Sequence, residues 1–144
     1  MALSRHEREA FLAEPHVAAL SVAWLDAGVD RAPLTVPIWY QYKPGSNPWI
    51  LTGASSRKAR LIEAAGRFSL MVDTVRPRVR YVTVEGPVAG LEPGGEAAHR
   101  ELAMRYLPEA EVDGYVELAM REFGPQQVIS LRPQRWLSAD LTLP

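Results

Sequence analysis

The chain contains no cysteine, which excludes disulfides, thiolate metal sites and a cysteine nucleophile and suits a reducing compartment. Charge of one sign is lacking as well. Sixteen Lys+Arg against seventeen Asp+Glu leave a net charge of −1 and a pI near 6.3, so nothing in the bulk favours nucleic acid or an anionic membrane as partner. Long apolar runs are missing too: Met1 to Glu14 is charged and amphipathic, unlike a signal peptide or a membrane span, and the expected location is the cytoplasm. Histidine is scarce. His6, His16 and His99 lie in separate segments without the spacing of a metal pair, so no metal site is expected and all three read as surface residues. G-x-S-x-G, H-E-x-x-H and G-x-x-x-x-G-K-[ST] are absent, which removes the common hydrolase, zincin and P-loop readings. No internal repeat and no low-complexity segment occurs.

What is there suits one domain spanning residues 1–144, long enough to bury about two-thirds of the surface of its unfolded chain. Ser4 with Glu7 three residues on is a capping-box start for a helix over Leu3 to Ala13. Val17 to Trp24 and Ala32 to Tyr42 read as a hairpin around the turn residues Asp26-Ala27-Gly28-Val29-Asp30, and Pro37 inside the second strand marks an edge or a bulge. Lys43-Pro44-Gly45-Ser46-Asn47-Pro48 closes a second hairpin into Trp49 to Thr52. A helix then runs to Ala65, with Leu61, Ile62 and Ala65 as its buried stripe and Gly66 as its stop. Arg67 to Asp73 and Arg80 to Ala89 are strands; in the second, Tyr81, Thr83 and Glu85 alternate with Val82 and Val84. Glu92 to Gly95 is expected to break the sheet. Two helices follow, Glu96 to Leu107 with Ala98, Leu102 and Tyr106 in register, and Val112 to Phe123 with Tyr115, Ala119 and Phe123 in register. Gln127 to Leu131 and Arg135 to Leu141 read as short strands. This order predicts a mainly β fold, a small antiparallel β-barrel with helical insertions, rather than the parallel sheet of an alternating β-α chain.

The chemistry centres on Trp49-Ile50-Leu51-Thr52-Gly53-Ala54-Ser55-Ser56-Arg57-Lys58-Ala59-Arg60, a strand passing through a Gly/Ser turn into a helix. A helix start carries about half a positive charge and unpaired N–H groups, so each cation in the first turn costs about 0.3–1 kcal/mol. A phosphate would reverse that sign, taking N–H donors, a hydroxyl from Thr52, Ser55 or Ser56, and charge-assisted bonds from Arg57 and Lys58. The alternative is an ordinary serine cap beside a solvated cationic face. Arg76, Arg78 and Arg80 alternate and, in an extended chain, project to one side, either as solvated surface or as a receptor for an anionic tail. Glu85 reads as a salt-bridge partner of a nearby arginine or as a general base. The four tryptophans read as core or interface, since the basic residues do not interleave with them.

Ser56-Arg57-Lys58-Ala59, after a strand ending Leu51-Thr52 and before Leu61-Ile62, resembles the phosphate-binding signature of the pyridoxamine 5′-phosphate oxidase-like flavoproteins. These are the FMN-binding split barrels, whose members use FMN or the deazaflavin coenzyme F-420. The resemblance spans Val17 to Leu91, including Val84-Glu85-Gly86, and the C-terminal strand. It implies an antiparallel split β-barrel and a homodimer with the cofactor in the groove between subunits. It implies that Arg57 and Lys58 hold the cofactor phosphate with Leu51, Thr52 and Ser56 beside them, and that Pro37, Ile38 and Trp39 lie along the ring. Tyr81 stands where the oxidases have a flavin-contacting glutamine, and Trp136 matches a tryptophan that approaches the flavin from the neighbouring subunit. No catalytic residue is isolated. The family's vitamin B6 oxidases run on to an Arg-containing segment where this chain ends Leu141-Thr142-Leu143-Pro144, so vitamin B6 oxidation is not expected. The Pro37-Ile38-Trp39-Tyr40 strand and the Arg132-Pro133-x-Arg135-Trp136-Leu137 ending look most like the F-420-dependent branch. That implies an oxidoreductase transferring hydride to or from a small conjugated organic substrate, with Arg76, Arg78 and Arg80 as candidates for the oligoglutamate tail. The alternatives are a non-catalytic flavin-binding or flavin-storing protein of the same fold, and a plain structural barrel.

Overall fold

A computed structural model describes residues 1–25 and 30–142. The turn read at Asp26 to Val29 and the last two residues lie outside the described residues. The order of elements is α1 (Arg5–Ala13), β1 (Ala18–Val22), β2 (Leu34–Ile38), β3 (Tyr40–Gln41), β4 (Trp49–Gly53), α2 (Arg57–Ala65), β5 (Arg67–Thr74), β6 (Arg80–Gly94), α3 (Glu96–Tyr106), α4 (Glu109–Glu122), β7 (Gln126–Leu131) and β8 (Arg135–Asp140).

Every pairing among the described strands is antiparallel, in the order β2-β1-β5-β6-β7-β4-β3 with β8 beside β6. This is the curled, split-barrel arrangement with helical insertions that the sequence predicts. β6 is its spine. Arg80 to Pro87 pairs with β5, Arg80 to Glu85 also pairs with β8, and Val88 to Gly94 pairs with β7 across a bulge between Val88 and Gly90. At the junction, the chain from β7 to β8 crosses so close that a Cβ on Gly86 would overlap the Arg132 carbonyl oxygen, which only glycine avoids. The sheet break expected at Glu92 to Gly95 is therefore corrected: Glu92, Pro93 and Gly94 pair with Val128, Gln127 and Gln126.

The alternation Tyr81, Thr83, Glu85 against Val82, Val84 holds, with both valines fully buried. They join Leu20, Ile50, Ile62, Leu70, Val72, Ile129 and Leu131 in the barrel core, closed at one end by Phe11 and Leu12 of α1. Ser4 caps α1 and receives the reciprocal Glu7 bond, as the capping box requires. Pro37 sits opposite Ala19 in β2, which among the described residues pairs only with β1, so its missing N–H faces no ladder there. Glu85 pairs with Arg67 at 3.7 Å, the salt bridge its strand position suggests.

The α3–α4 hairpin forms a separate, smaller cluster of Ala103, Val112 and Val116. Here the expected stripes are corrected. His99, Leu102 and Ala103 face inward on α3, and Val112, Val116 and Ala119 on α4, so Leu102 and Ala119 hold as expected while the rest of each stripe is displaced from the register read in the sequence. α4 also begins at Glu109, because Pro108 suits a helix start and Glu109 and Glu111 complement the helix dipole. The hairpin is tied to the barrel by polar bonds. The Arg105 guanidinium donates to the Ala13 carbonyl (2.8 Å), the Glu14 carbonyl (2.8 Å) and Gln41 Oε1 (3.0 Å), where the C-terminus of α1 concentrates negative charge. Tyr106 Oη donates to the His16 carbonyl at 2.7 Å and accepts from the Tyr40 N–H at 3.2 Å.

Candidate functional site

α2 starts as its sequence dictates. The Ser56 hydroxyl accepts the Ala59 N–H at 3.1 Å, Arg57 and Lys58 occupy the first turn with no carboxylate among them, and Gly66 ends the helix at φ +73°. Thr52 Oγ1 lies 3.1 Å from Ser56 Oγ, so the last buried position of β4 is coupled directly to the cap. If Thr52 donates to Ser56, the Ser56 proton is left for an incoming acceptor. The N–H groups of Arg57 and Lys58 make no hydrogen bond among the described residues, and neither they nor Arg60 have an ion-pair partner there.

Beside this helix start lies a cavity of about 400 Å³, lined by Val17, Pro37, Ile38, Trp39, Leu51, Thr52, Gly53, Lys58, His99, Leu102, Tyr115, Phe123 and Gln126. It falls within the usual range of small-molecule pockets, about 300–1,000 Å³, and is mostly apolar with a few polar groups. Of the residues expected to bind a cofactor, the fold brings Pro37, Ile38, Trp39, Leu51, Thr52 and Lys58 to this one cavity. Ser56 stands directly behind them through Thr52. Arg57 is exposed and its guanidinium lies over the Trp24 ring, 5.1 Å from the centroid.

Tyr81 and Trp136 are placed elsewhere on the chain. Tyr81 is half-buried on β6 between Asp73 and Ala139. Trp136 turns toward the core, with the Arg8 guanidinium 4.7 Å from its ring and Tyr42 edge-on at 6.4 Å, beside a separate cavity of about 310 Å³. Arg76, Arg78 and Arg80 do not form one row, because residues 75–79 leave the strand. Arg78 is bound to Asp140 at 2.8 Å and Arg80 lies over Phe11 at 4.5 Å.

Sequence reasoning missed the wall contributed by α3 and α4. Trp39 stacks on Tyr106 at 4.7 Å and tilts against Tyr115 at 5.5 Å; Tyr115 and His99 each meet Phe123 edge-on at 6.1 Å. This aromatic chain joins the β2–β3 connection to the hairpin. His99, expected on the surface, is 4% exposed, and burial holds its imidazole below the ordinary histidine range. The signal that could have found it is the spacing His99, Leu102, Ala103, Tyr106, a helical stripe headed by a histidine. His16 is half-buried with Nε2 3.0 Å from the Phe11 carbonyl, and His6 remains exposed.

The sequence profile of the pyridoxamine 5′-phosphate oxidase family matches residues 4–139, nearly the whole chain. The chain belongs to this family. Among solved structures, this oxidase-family chain is similar to a conserved hypothetical protein from Mycobacterium tuberculosis, with TM-score 0.73 and 22% identity, covering 97% of this chain and 86% of that one. It is also similar to a protein described as an F420 reductase, with TM-score 0.70 and 22% identity over 90% of this chain and 94% of that one. A heme binding protein from Mycobacterium smegmatis shares the fold at TM-score 0.61 and 20% identity, covering 99% of this chain and 59% of that one. At these identities the likeness is one of fold. No curated protein matches the chain significantly. Among the described residues, no helix is long and apolar enough to cross a membrane, and no group of three or more His, Asp or Glu side chains is placed to hold a metal.

Proposed function

We propose that this family member is an oxidoreductase that binds coenzyme F-420 or FMN and transfers hydride to or from a small conjugated organic substrate. The observation that carries the reading is the start of α2: two adjacent cations and two N–H groups unpaired among the described residues, with Lys58 lining a mostly apolar cavity. The donor set fits a phosphorylated planar cofactor. Lys58, the free N–H groups and the Ser56 hydroxyl would hold its phosphate, with Arg57 adding charge from the exposed side. Pro37, Ile38, Trp39 and Leu51 would form an apolar wall along its ring. In the dimer this reading includes, Tyr81 and Trp136 are the residues offered from other parts of the molecule.

The cofactor supplies the hydride chemistry when bound. The chain's own residues anchor its charged end, fix the ring plane and exclude water from the reacting face. Such work needs no protein nucleophile, and none is assigned. Coenzyme F-420 and FMN share a phosphate and a flat ring, the two features that the start of α2 and the apolar wall would recognise.

The test is a fluorescence titration of the purified protein with FMN and F-420 side by side, followed by turnover of the reduced cofactor against a panel of enones and quinones. Saturable binding of at least one cofactor with turnover is the expected result. Binding without turnover on any substrate would replace the enzyme with a flavin-storing protein, and binding of neither cofactor would overturn the proposal.

A further inference from the structure

The α3–α4 hairpin brings to the cavity two side chains whose polar atoms make no hydrogen bond among the described residues. His99 makes no side-chain hydrogen bond or ion pair among the described residues, and its recorded ring contact is the edge of Phe123. The Tyr115 hydroxyl likewise has no hydrogen-bond partner there, and burial raises its pKa. His99 is 4% exposed, lies in the cavity wall and makes no side-chain hydrogen bond among the described residues, so its imidazole is available to a ligand atom inside the cavity.

The surroundings narrow what that atom is. Leu102, Phe123 and Tyr115 share the cavity wall with His99, Phe123 meeting its ring edge-on, and its fall in pKa has burial as its cause, with no charged partner contributing. Lys58 of α2 and Tyr115 of α4 are the other titratable groups of the cavity wall; the lining residues from β2 and β4 carry no charge. On its own helix, Glu96 and Arg100 pair with each other at 3.6 Å, and Arg100 also binds Asp113 at 2.7 Å. An anionic group is drawn to Lys58 and the start of α2, and an alkyl group would leave the imidazole unpaired. A neutral imidazole carries one N–H and one lone pair, which suits a carbonyl oxygen or an amide edge.

We propose that His99 binds the ligand of this cavity directly, its imidazole donating to a carbonyl oxygen on a planar conjugated ring whose anionic end lies at Lys58. Tyr115 is the second donor on the same wall. This rests on the cofactor reading above, and adds that the helical hairpin selects for a ring that carries an oxygen at its far edge.

The experiment is NMR of the intact protein with FMN and, separately, F-420 as probes, following the three histidine ring resonances, assigned with His99→Gln, together with the backbone amides of α2. The expected result is that a probe moves the His99 ring resonance along with the Lys58 amide, while His6 stays still. In parallel titrations His99→Leu should bind about tenfold more weakly, and His99→Gln, which keeps a donor, should stay within about threefold of the unaltered protein. The resonance measurement needs no variant to bind, so a poorly folded His99→Leu does not rescue or sink the inference. If the Lys58 amide moves and the His99 ring does not, this inference is wrong and the cofactor reading survives. If neither probe moves any amide of α2, both fail.

Discussion

The barrel and the α3–α4 hairpin meet across the cavity, yet they are built on different principles. The barrel buries a continuous set of large apolar side chains, many with no exposed surface at all, and positions β4 and α2 rigidly. The hairpin has only a small cluster of its own, shows Met104, Leu118, Met120 and Phe123 at the surface, and is held by Arg105, Tyr106 and the Trp39 stack. In the proposed reading, the phosphate-side residues and the apolar wall of Pro37, Ile38 and Leu51 thus belong to the densely packed half, and the added donors His99 and Tyr115 to the loosely buried half. The division suggests that anchoring and selection are separable, and substitutions can test that.

The largest effect should come from the barrel. Ile62→Ala, at a fully buried position of α2, should lower stability by about 2–5 kcal/mol and disturb both halves, measured by chemical denaturation. Arg105→Ala removes the bonds that tie α3 to the end of α1. It should cost about 2 kcal/mol and increase hydrogen exchange in α3 and α4 while β4 and α2 stay protected; equal loss of protection in both regions would break the comparison. Ser56→Ala should cost about 1 kcal/mol through the lost cap, and it should weaken FMN binding while leaving riboflavin binding unchanged.

The smallest effect is one of pH. Burial keeps the pKa of His99 below its unfolded value of 6.5, so the unfolded chain binds more protons in this range. The His99 contribution to stability is intact above pH 6.5, is lost as pH falls from there toward the depressed folded value, and levels off below it. His16 follows the same sign for the same cause. His99→Gln should flatten part of that loss in urea titrations between pH 7.5 and 5, and an unchanged slope would show that His99 is hydrated after all.

The barrel was legible because its signals are local. Alternation in β6, the turn at Lys43 to Pro48, the Ser56 cap and the Gly66 stop each act within a few residues, and the structure keeps them all. The cationic start of α2 was legible for the same reason. The hairpin was harder to read. Charged residues surround His99 in sequence, and its stripe is only weakly amphipathic, because much of α3 packs on aromatic and polar groups supplied by distant segments. β6 ran past its expected end because pairing with β7, not the propensity of Glu92-Pro93-Gly94, decides that stretch. The alternating arginines failed as a row because Asp140 and Phe11, remote in sequence, claim Arg78 and Arg80 separately.

The central claim is that the start of α2 is a phosphate site at the edge of a ring-binding cavity. Its most direct test compares FMN with riboflavin, which lacks the phosphate, on the unaltered protein and on Arg57→Ala/Lys58→Ala. FMN should bind at least about tenfold more tightly than riboflavin to the unaltered protein, with the gap closing in the double variant because only FMN loses affinity. Equal affinities for the two flavins in the unaltered protein, or a gap that survives the double substitution, would contradict the account.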